Sequence, residues 1–271
     1  MEPNQPVNPY QTPSVNTAAA PPPASGQLTA EPRTVPAGNG ISWIGSAWNI
    51  FTQSAVAWVV CMVIMFVLYV VLAFVPILGN LVVYVLMPVL AGGLMMGCQA
   101  QHEGRPLEIG DLFSGFQKKT APLMLVGVLY MVVSLAMLLL AGILFFIIVG
   151  SSGVIGALMS GDQTAIASLI AGSIMGALVV GLVMMAAYVP IAMAFWFAAT
   201  LVALHDVTPT QALRMSFSAC LKNMLPFLLY GLVFLFIFII AVVPIGLGLL
   251  VAIPLLYAST YTAYRDIFLA E

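Results

Sequence analysis

The residues of this chain with the greatest potential for chemistry lie between Cys98 and Lys119, in the stretch CQAQHEGRPLEIGDLFSGFQKK. This stretch holds six of the sixteen Asp, Glu, Lys and Arg residues of the chain (nine acidic, seven basic). Cys98 and His102 are four residues apart, which on a helix would place two metal ligands on one face. Glu108 and Asp111 are three residues apart, a spacing that would suit an acid/base pair.

Simpler explanations account for both patterns. Structural zinc normally takes four nitrogen or sulfur ligands at characteristic spacing, and the chain has only three cysteines and two histidines, with no Cys-x-x-Cys pair. Acidic side chains are favoured at helix N-termini and basic ones at C-termini without any catalytic role. The sequence contains no Gly-x-Ser-x-Gly or His-Glu-x-x-His motif. We therefore predict no metal, no cofactor, no catalytic residue and no enzyme activity.

The elements that position this stretch are set by a very apolar composition, with 62% hydrophobic and 6% charged residues. A soluble domain has about 45–50% apolar and about 25% charged residues, so lipid must surround most of this chain. Apolar runs able to cross a core of about 30 Å occur at roughly 54–75, 79–97, 122–150, 167–204, 224–243 and 246–264. The sequence predicts an all-α integral membrane protein with six transmembrane helices arranged as three hairpins.

The basic residues predict the orientation of these six helices. All seven fall in the N-terminal segment, in 98–121, in 205–223 or at the C-terminus. Because cytoplasmic segments carry the excess of Lys and Arg, both termini should be cytoplasmic. The run 167–204 is longer than one span needs, and Pro190 within it is expected to kink the helix.

The N-terminal segment 1–38 differs from the rest of the chain. It holds nine of the eighteen prolines and few large apolar residues. Such a composition cannot bury enough surface to offset the entropy of ordering. The prediction is a disordered cytoplasmic tail over 1–38, followed by one transmembrane domain over 39–271.

Amphipathic stretches precede the first, third and fifth predicted spans. In the opening stretch the apolar residues stand at the helical spacing i, i+3, i+4 and i+7: Ile109, Leu112, Phe113 and Phe116. Glu108 and Asp111 fall elsewhere on the same helix. Comparable stretches cover 41–51 and 208–224, where Thr208 and Pro209 give a helix-start signal. We predict three interfacial helices lying at the membrane surface, and these six residues at 108–116 as a candidate interaction surface.

Spacing suggests that the three stretches begin three repeated units. Phe51 and Pro88 are 37 residues apart, and so are Phe217 and Pro254; Phe116 and Pro190 are 74 apart, as if 37 residues were inserted. Each proline stands near the middle of the second helix of its predicted hairpin. Within the first unit the sequence Gly93-Leu94-Met95-Met96-Gly97 is a GxxxG motif, which permits close approach of another backbone.

Two segments, RTVPAGNGISWIGSAWNIF (33–51) and PVLAGGLMMGCQAQHEGRPLEIGDLFSGF (88–116), resemble an uncharacterised family of proteobacterial transmembrane proteins. The resemblance covers roughly 33–265 and implies a multi-pass protein of the bacterial inner membrane. The plan is more loosely similar to the membrane domain of some glycerophosphodiester phosphodiesterases. Their catalytic domain has no counterpart here, so no activity is implied.

The expected function is that of a non-enzymatic scaffold or assembly protein, in contact with membrane lipid and with protein partners at the cytoplasmic face. No basic stripe is present for nucleic acid. The alternative is a transporter or channel for a lipid or small neutral molecule, because the three proline-containing helices would flank a central path. That alternative predicts a cavity lined by Tyr84, Tyr188 and Tyr257.

Overall fold

The computed structural model describes residues 26–150, 159 and 163–270, and most of these residues are helical. The helices are α1 Asn39–Gln53, α2 Ala55–Ala73, α3 Leu78–His102, α4 Ser114–Lys118, α5 Thr120–Gly150, α6 Gln163–Trp196, α7 Ala198–Leu204, α8 Pro209–Lys222, α9 Met224–Val242 and α10 Leu249–Phe268. A 3-10 helix at Ile109–Phe113 precedes α4. Within the described ranges no strand is formed, and Leu28 and Leu269 make an isolated antiparallel bridge.

Five helical stretches in the described part of the chain are long and apolar enough to cross a membrane. They are Ala55–Ala73, Leu78–His102, Thr120–Ile147, Ala171–Leu204 and Met224–Val242. The stretch predicted as the sixth span, 246–264, falls mainly in α10, which is not among them. Although α10 has 20 residues, its second half carries hydroxyl and charged side chains and lowers the mean hydropathy.

Three segments correspond to the predicted amphipathic stretches, namely α1, the 3-10 helix with α4, and α8, and we call them the surface segments. Each of them packs on a helix of another predicted unit. The 3-10 helix and α4 pack on α3, and α8 packs on α6, so each rests on the long helix that precedes it in the chain. The first segment, α1, packs on the last helix, α10. Each surface segment therefore joins its own unit to a neighbouring one, and the first unit closes onto the third.

The interior where α3, α7 and α10 meet is filled by large side chains. Leu90, Leu94, Phe197, Leu201 and Phe268 are fully buried there. The rings of Phe197 and Phe268 have centroids 5.3 Å apart, in an edge-to-face arrangement. These side chains form a close-packed interior beneath the polar ends of the three helices.

The long stretch after residue 163 is interrupted at Phe197, seven residues beyond the expected kink at Pro190. The Ser216 hydroxyl of α8 donates to the Met193 carbonyl at 2.7 Å and accepts from the Phe197 backbone N–H at 2.9 Å. A side chain thus lies between the two groups that would form one hydrogen bond of the helix, which is a known cause of helix distortion. Pro190 remains inside α6, so the interruption arises from a tertiary contact.

Helix α8 buries mainly small residues and directs large apolar ones outward, whereas α1 buries both small and large residues. On α8 the buried side chains include Ala212, Ser216 and Ala219, whereas Phe217 and Leu221 are exposed. The predicted helix start is confirmed, because the Thr208 hydroxyl accepts from the Gln211 backbone N–H at 3.3 Å. On α1 the buried face includes Trp43, Ala47 and Phe51, and Ile41 and Trp48 point outward.

Residues 26–38 are not a disordered tail, in contrast to the prediction for 1–38; residues 1–25 lie outside the described ranges. The backbone N–H groups of Thr29 and Arg33 donate to the carbonyls of Phe268 and Ile267, each at 2.8 Å. The Gly26 N–H donates to the Ala270 carbonyl at 2.8 Å. The local composition of this segment could not show this order, because its hydrogen bonds go to residues more than 230 positions later in the chain.

Candidate functional site

The acidic residues of the candidate interaction surface are held by one arginine. The Asp111 carboxylate accepts from Arg105 Nη2 at 2.7 Å and from the Glu108 backbone N–H at 2.9 Å. Glu108 Oε1 lies 3.4 Å from Arg105 Nη1 and is largely exposed. These carboxylates raise the pKa of Arg105, mainly through its hydrogen bond with Asp111. The arrangement fixes the turn before the 3-10 helix.

The four apolar residues of this surface do not share one face, which corrects the prediction. Leu112 is fully buried, whereas Ile109, Phe113 and Phe116 are 45%, 37% and 38% exposed. The segment begins as a 3-10 helix, with about three residues per turn, so the 3.6-residue periodicity does not apply. Leu112 lies where Gly93 of α3 allows the two backbones to meet. These three exposed side chains form what we call the 109–116 patch.

Substituting Asp111 with asparagine should lower the free energy of unfolding by about 1–3 kcal/mol. The side chain is buried, and its two oxygens accept from different donors, Arg105 at Oδ1 and the Glu108 N–H at Oδ2. Replacing one oxygen with an NH2 group places a donor against one of these donors. Thermal unfolding of the purified protein in detergent measures the loss. Glu108→Gln is the matched control, since an exposed ion pair contributes at most about 1 kcal/mol. Equal losses in the two variants would contradict the structural role of Asp111.

At the same end of the molecule, Asp266 connects three segments of the chain. Its Oδ2 accepts from Asn39 Nδ2 at 2.8 Å and from Trp43 Nε1 at 2.7 Å, both on α1. Its Oδ1 lies 3.8 Å from Arg33 Nη2, and the same guanidinium donates to the Asp266 backbone carbonyl at 2.7 Å. The carboxylate thus joins the N-terminal extension and α1 to the end of α10.

Asn223 ties the same N-terminal extension to α8. Its Oδ1 accepts from the Val35 N–H at 2.8 Å, and its Nδ2 donates to the carbonyls of Arg33 and Ala219 at 2.8 and 2.9 Å. Lys222 and Glu31 form an ion pair at 2.9 Å beside it. The polar end is therefore cross-connected by side chains from four segments.

A polar cavity of about 860 Å³ opens at this end. One wall is the uncharged polar face of α1, formed by Asn39, Ser42, Ser46, Asn49 and Gln53. The other walls come from the ends of α3, α7 and α10 and include Gln99, His102, Glu103, His205, Tyr261, Tyr264 and Arg265. Both histidines considered as ligands thus reach one cavity, but Cys98 is buried in the core. The described residues contain no group of three or more His, Cys, Asp or Glu side chains able to hold a metal ion.

His205 is held by its neighbours at the end of α7. Its Nε2 shares a hydrogen bond with the Tyr264 hydroxyl of α10. Burial lowers the pKa of His205, an effect that Lys119 reinforces and Asp206 opposes. Lys119 and Asp206 form an ion pair, which lowers the pKa of the exposed Asp206 carboxyl. The lowered pKa favours the neutral form of the His205 imidazole.

A second, mostly apolar cavity of about 540 Å³ lies between α3, α5 and α6. Tyr84, Tyr130 and Tyr188 line it, and the hydroxyls of Tyr130 and Tyr188 are 3.0 Å apart. Two of the three tyrosines expected by the transporter alternative are present. Tyr257 is not part of this lining; Tyr130 is the third tyrosine.

Several of these residues escaped the sequence analysis. Trp43, Asn223, Arg265 and Asp266 belong to no motif, and their partners are distant in the sequence. One signal was available, because α1 carries an uncharged polar residue at alternating steps of three and four from Asn39 to Gln53. Such a stripe opposite an apolar face indicates a polar boundary as well as an interfacial helix.

Comparison with known proteins finds a curated relative in Burkholderia thailandensis that is named as a probable inner membrane protein. It is 29% identical over 255 residues, which cover 86% of this chain and 92% of the relative. No family model and no solved structure matches the chain, so the looser similarity to phosphodiesterase membrane domains gains no support. Together with the apolar helices, this similarity supports a location in the inner membrane of a bacterium.

Proposed function

We propose that this chain is a non-enzymatic assembly protein of the bacterial inner membrane that binds another protein through the 109–116 patch. The observation that carries this proposal is the placement of Ile109, Phe113 and Phe116. They are exposed yet lie outside the five candidate membrane-spanning stretches. Clustered exposed apolar side chains beside polar groups are typical of interaction sites.

Rigidity of the surrounding surface supports an assembly role. The patch is anchored on α3 through Leu112, and the Arg105–Asp111 ion pair holds the turn that precedes it. A fixed surface binds with less loss of conformational entropy than a flexible one. The non-enzymatic part of the proposal rests on Glu108 and Asp111, since Arg105 occupies both carboxylates.

Site-specific photo-crosslinking in cells tests the proposal. A photoreactive residue at Phe113 should give a discrete adduct with another protein. A photoreactive residue at Phe217, an equally exposed aromatic position on α8, is the matched control and should not give this adduct. The combined variant Ile109→Ser, Phe113→Ser and Phe116→Ser should reduce protein crosslinking from Gln117 at least fivefold, a loss of about 1 kcal/mol. Adducts with lipid alone at Phe113 would contradict the proposal.

The six-span topology with both termini cytoplasmic is part of the same proposal, with α10 as the sixth span. Its polar side chains bond to neighbouring helices: Ser259 with the Tyr230 hydroxyl at 2.8 Å, and Thr262 with the Trp43 carbonyl at 2.9 Å. A span shielded by protein does not need the hydropathy of one that faces lipid. The surrounding helices α1, α2, α3 and α9 all pack on α10.

Cysteine labelling tests this topology. Single cysteines replacing the exposed residues Asn80 and Leu247 should react with an impermeant maleimide added outside the inner membrane, and one at Gln117 should react only after permeabilisation. The native Cys61, Cys98 and Cys220 are all buried, so the unsubstituted chain supplies a low background. Labelling of Gln117→Cys in intact cells would exclude the proposed orientation.

The tyrosine-lined cavity favours a second candidate function, the movement of a lipid or small neutral molecule along the α3–α5–α6 side. In liposomes such activity would appear as protein-dependent flux of labelled lipid. Combined Tyr130→Phe and Tyr188→Phe substitution should slow that flux, while Tyr69→Phe at an exposed position should not. Absence of flux in liposomes containing the folded chain would remove this candidate.

A further inference from the structure

Two of the charged side chains that line the polar cavity have no ion-pair partner among the described residues. Six carboxylate side chains fall in the described residues, and five form ion pairs: those of Glu31, Glu108, Asp111, Asp206 and Asp266. The sixth, Glu103, accepts from Gln99 Nε2 at 3.0 Å and has no cation within 4.0 Å among the residues described. Glu103 stands at the rim of the cavity.

Among the basic side chains, one that lines the same cavity also has no ion-pair partner in the described residues. Arg33, Arg105, Lys119 and Lys222 are ion-paired, and of the remaining three, Lys118 and Arg214 are exposed to solvent. Arg265 is half-buried, lines the same cavity as Glu103, and has no carboxylate within 4.0 Å in the described part of the chain. A guanidinium taken partly out of water normally has an anionic partner.

Glu103 and Arg265 line this cavity together with His102. Glu103 follows the last residue of α3, where the free carbonyls of the helix end favour a cation. The cavity therefore has a cation-preferring side at Glu103 and an anion-preferring side at Arg265.

We propose that this cavity binds a zwitterion, with a phosphate or carboxylate on Arg265 and an ammonium group on Glu103. Its size is within the usual range for small-molecule sites, about 300–1,000 Å³. The uncharged side chains of α1, such as Ser46 and Asn49, supply hydrogen bonds along the wall. The third charged residue of the lining, Asp266, is paired with Arg33. The inference is separate from protein docking at the 109–116 patch, which lies outside this cavity.

Two kinds of ligand have this combination of charges, namely a free small molecule and the phosphoethanolamine headgroup of a lipid. For the free source, the probe is glycerophosphoethanolamine titrated by calorimetry into the full chain in detergent, with phosphate alone and ethanolamine alone as comparisons. For the lipid source, native mass spectrometry counts phosphatidylethanolamine or phosphatidylglycerol retained on the chain. Binding in either arm identifies the source.

The expected result is preference for the zwitterion, with Arg265→Gln and Glu103→Gln each weakening it about tenfold to a hundredfold, the effect of losing one charged hydrogen bond. Arg214→Gln and Glu108→Gln are matched controls outside the cavity and should bind as the unsubstituted chain does. Arg265→Lys keeps the charge and should retain part of the affinity, which separates binding from folding. Absence of binding in both arms overturns the proposal, as does equal affinity for phosphate alone or undiminished binding by Glu103→Gln.

Discussion

Substituting Gly93 with valine should prevent the chain from accumulating in its folded form. A Cβ at this position would lie 2.3 Å from the Leu112 carbonyl oxygen and 2.6 Å from that of Asp111. Both obstacles are backbone atoms, so no side-chain rotation relieves the clash. The 3-10 helix would have to leave α3, which would expose Leu112 and separate Gly115 from Val89. The contact at Gly115 is equally close, since a Cβ added there would lie 2.2 Å from the Val89 carbonyl oxygen.

We expect Gly93→Val to cost more than about 3 kcal/mol, the range of severe overpacking in a close-packed interior. Folded yield in detergent by size-exclusion chromatography and the thermal midpoint are the measurements. Gly142→Val is the matched control, because a Cβ at Gly142 meets no atom within 4 Å. An unchanged midpoint for Gly93→Val would mean that the 3-10 helix does not rest on α3.

Substituting Asp266 with alanine should be the most damaging change of a single charged residue, at about 3 kcal/mol. The Trp43 side chain is almost fully buried, and its indole N–H would lose its acceptor. Arg33 would lose its carboxylate, and Asn39 its acceptor. The N-terminal extension and α1 should then separate from α10 before the rest of the molecule unfolds, which hydrogen exchange at residues 26–53 would detect.

Two further variants separate the contributions at this position. Asp266→Asn retains an oxygen for Trp43 but not the charge for Arg33, so its midpoint should fall between those of the unsubstituted chain and Asp266→Ala. Asp206→Ala removes a carboxylate that is 97% exposed and should change the midpoint little. If Asp206→Ala were as damaging as Asp266→Ala, the connecting role of Asp266 would be wrong.

Long helices were predictable because a bilayer requires continuous apolar runs. The five candidate spans fall within the predicted runs, apart from a few residues at their ends. Mean hydropathy does not mark α10 as a candidate span, because several of its side chains are polar and bond to neighbouring helices. A hydropathy scale sums residue types and carries no information about which neighbour each side chain contacts. The number and pairing of spans therefore depend on tertiary contacts that composition does not contain.

The candidate surface at 108–116 was predicted in position but not in detail. A helical period of 3.6 placed Leu112 with Phe113 and Phe116, but the chain forms a 3-10 helix there because Gly93 lets the backbone approach closely. The GxxxG motif was the available signal, since Gly93 and Gly97 both face this segment. Its partner proved to be a surface segment and not a second membrane-spanning helix.

The contact of α1 with α10 also sets an order of events during synthesis. Trp43 emerges from the ribosome 223 residues before Asp266, an interval of about 10 to 45 seconds at typical bacterial to eukaryotic elongation rates. During that interval α1 can already pack on α9, where Phe227 and Tyr230 contact the Trp43 ring, but the Trp43 indole N–H has no carboxylate to donate to. Completion of the last helix is therefore the event that supplies this acceptor and joins the first unit to the third.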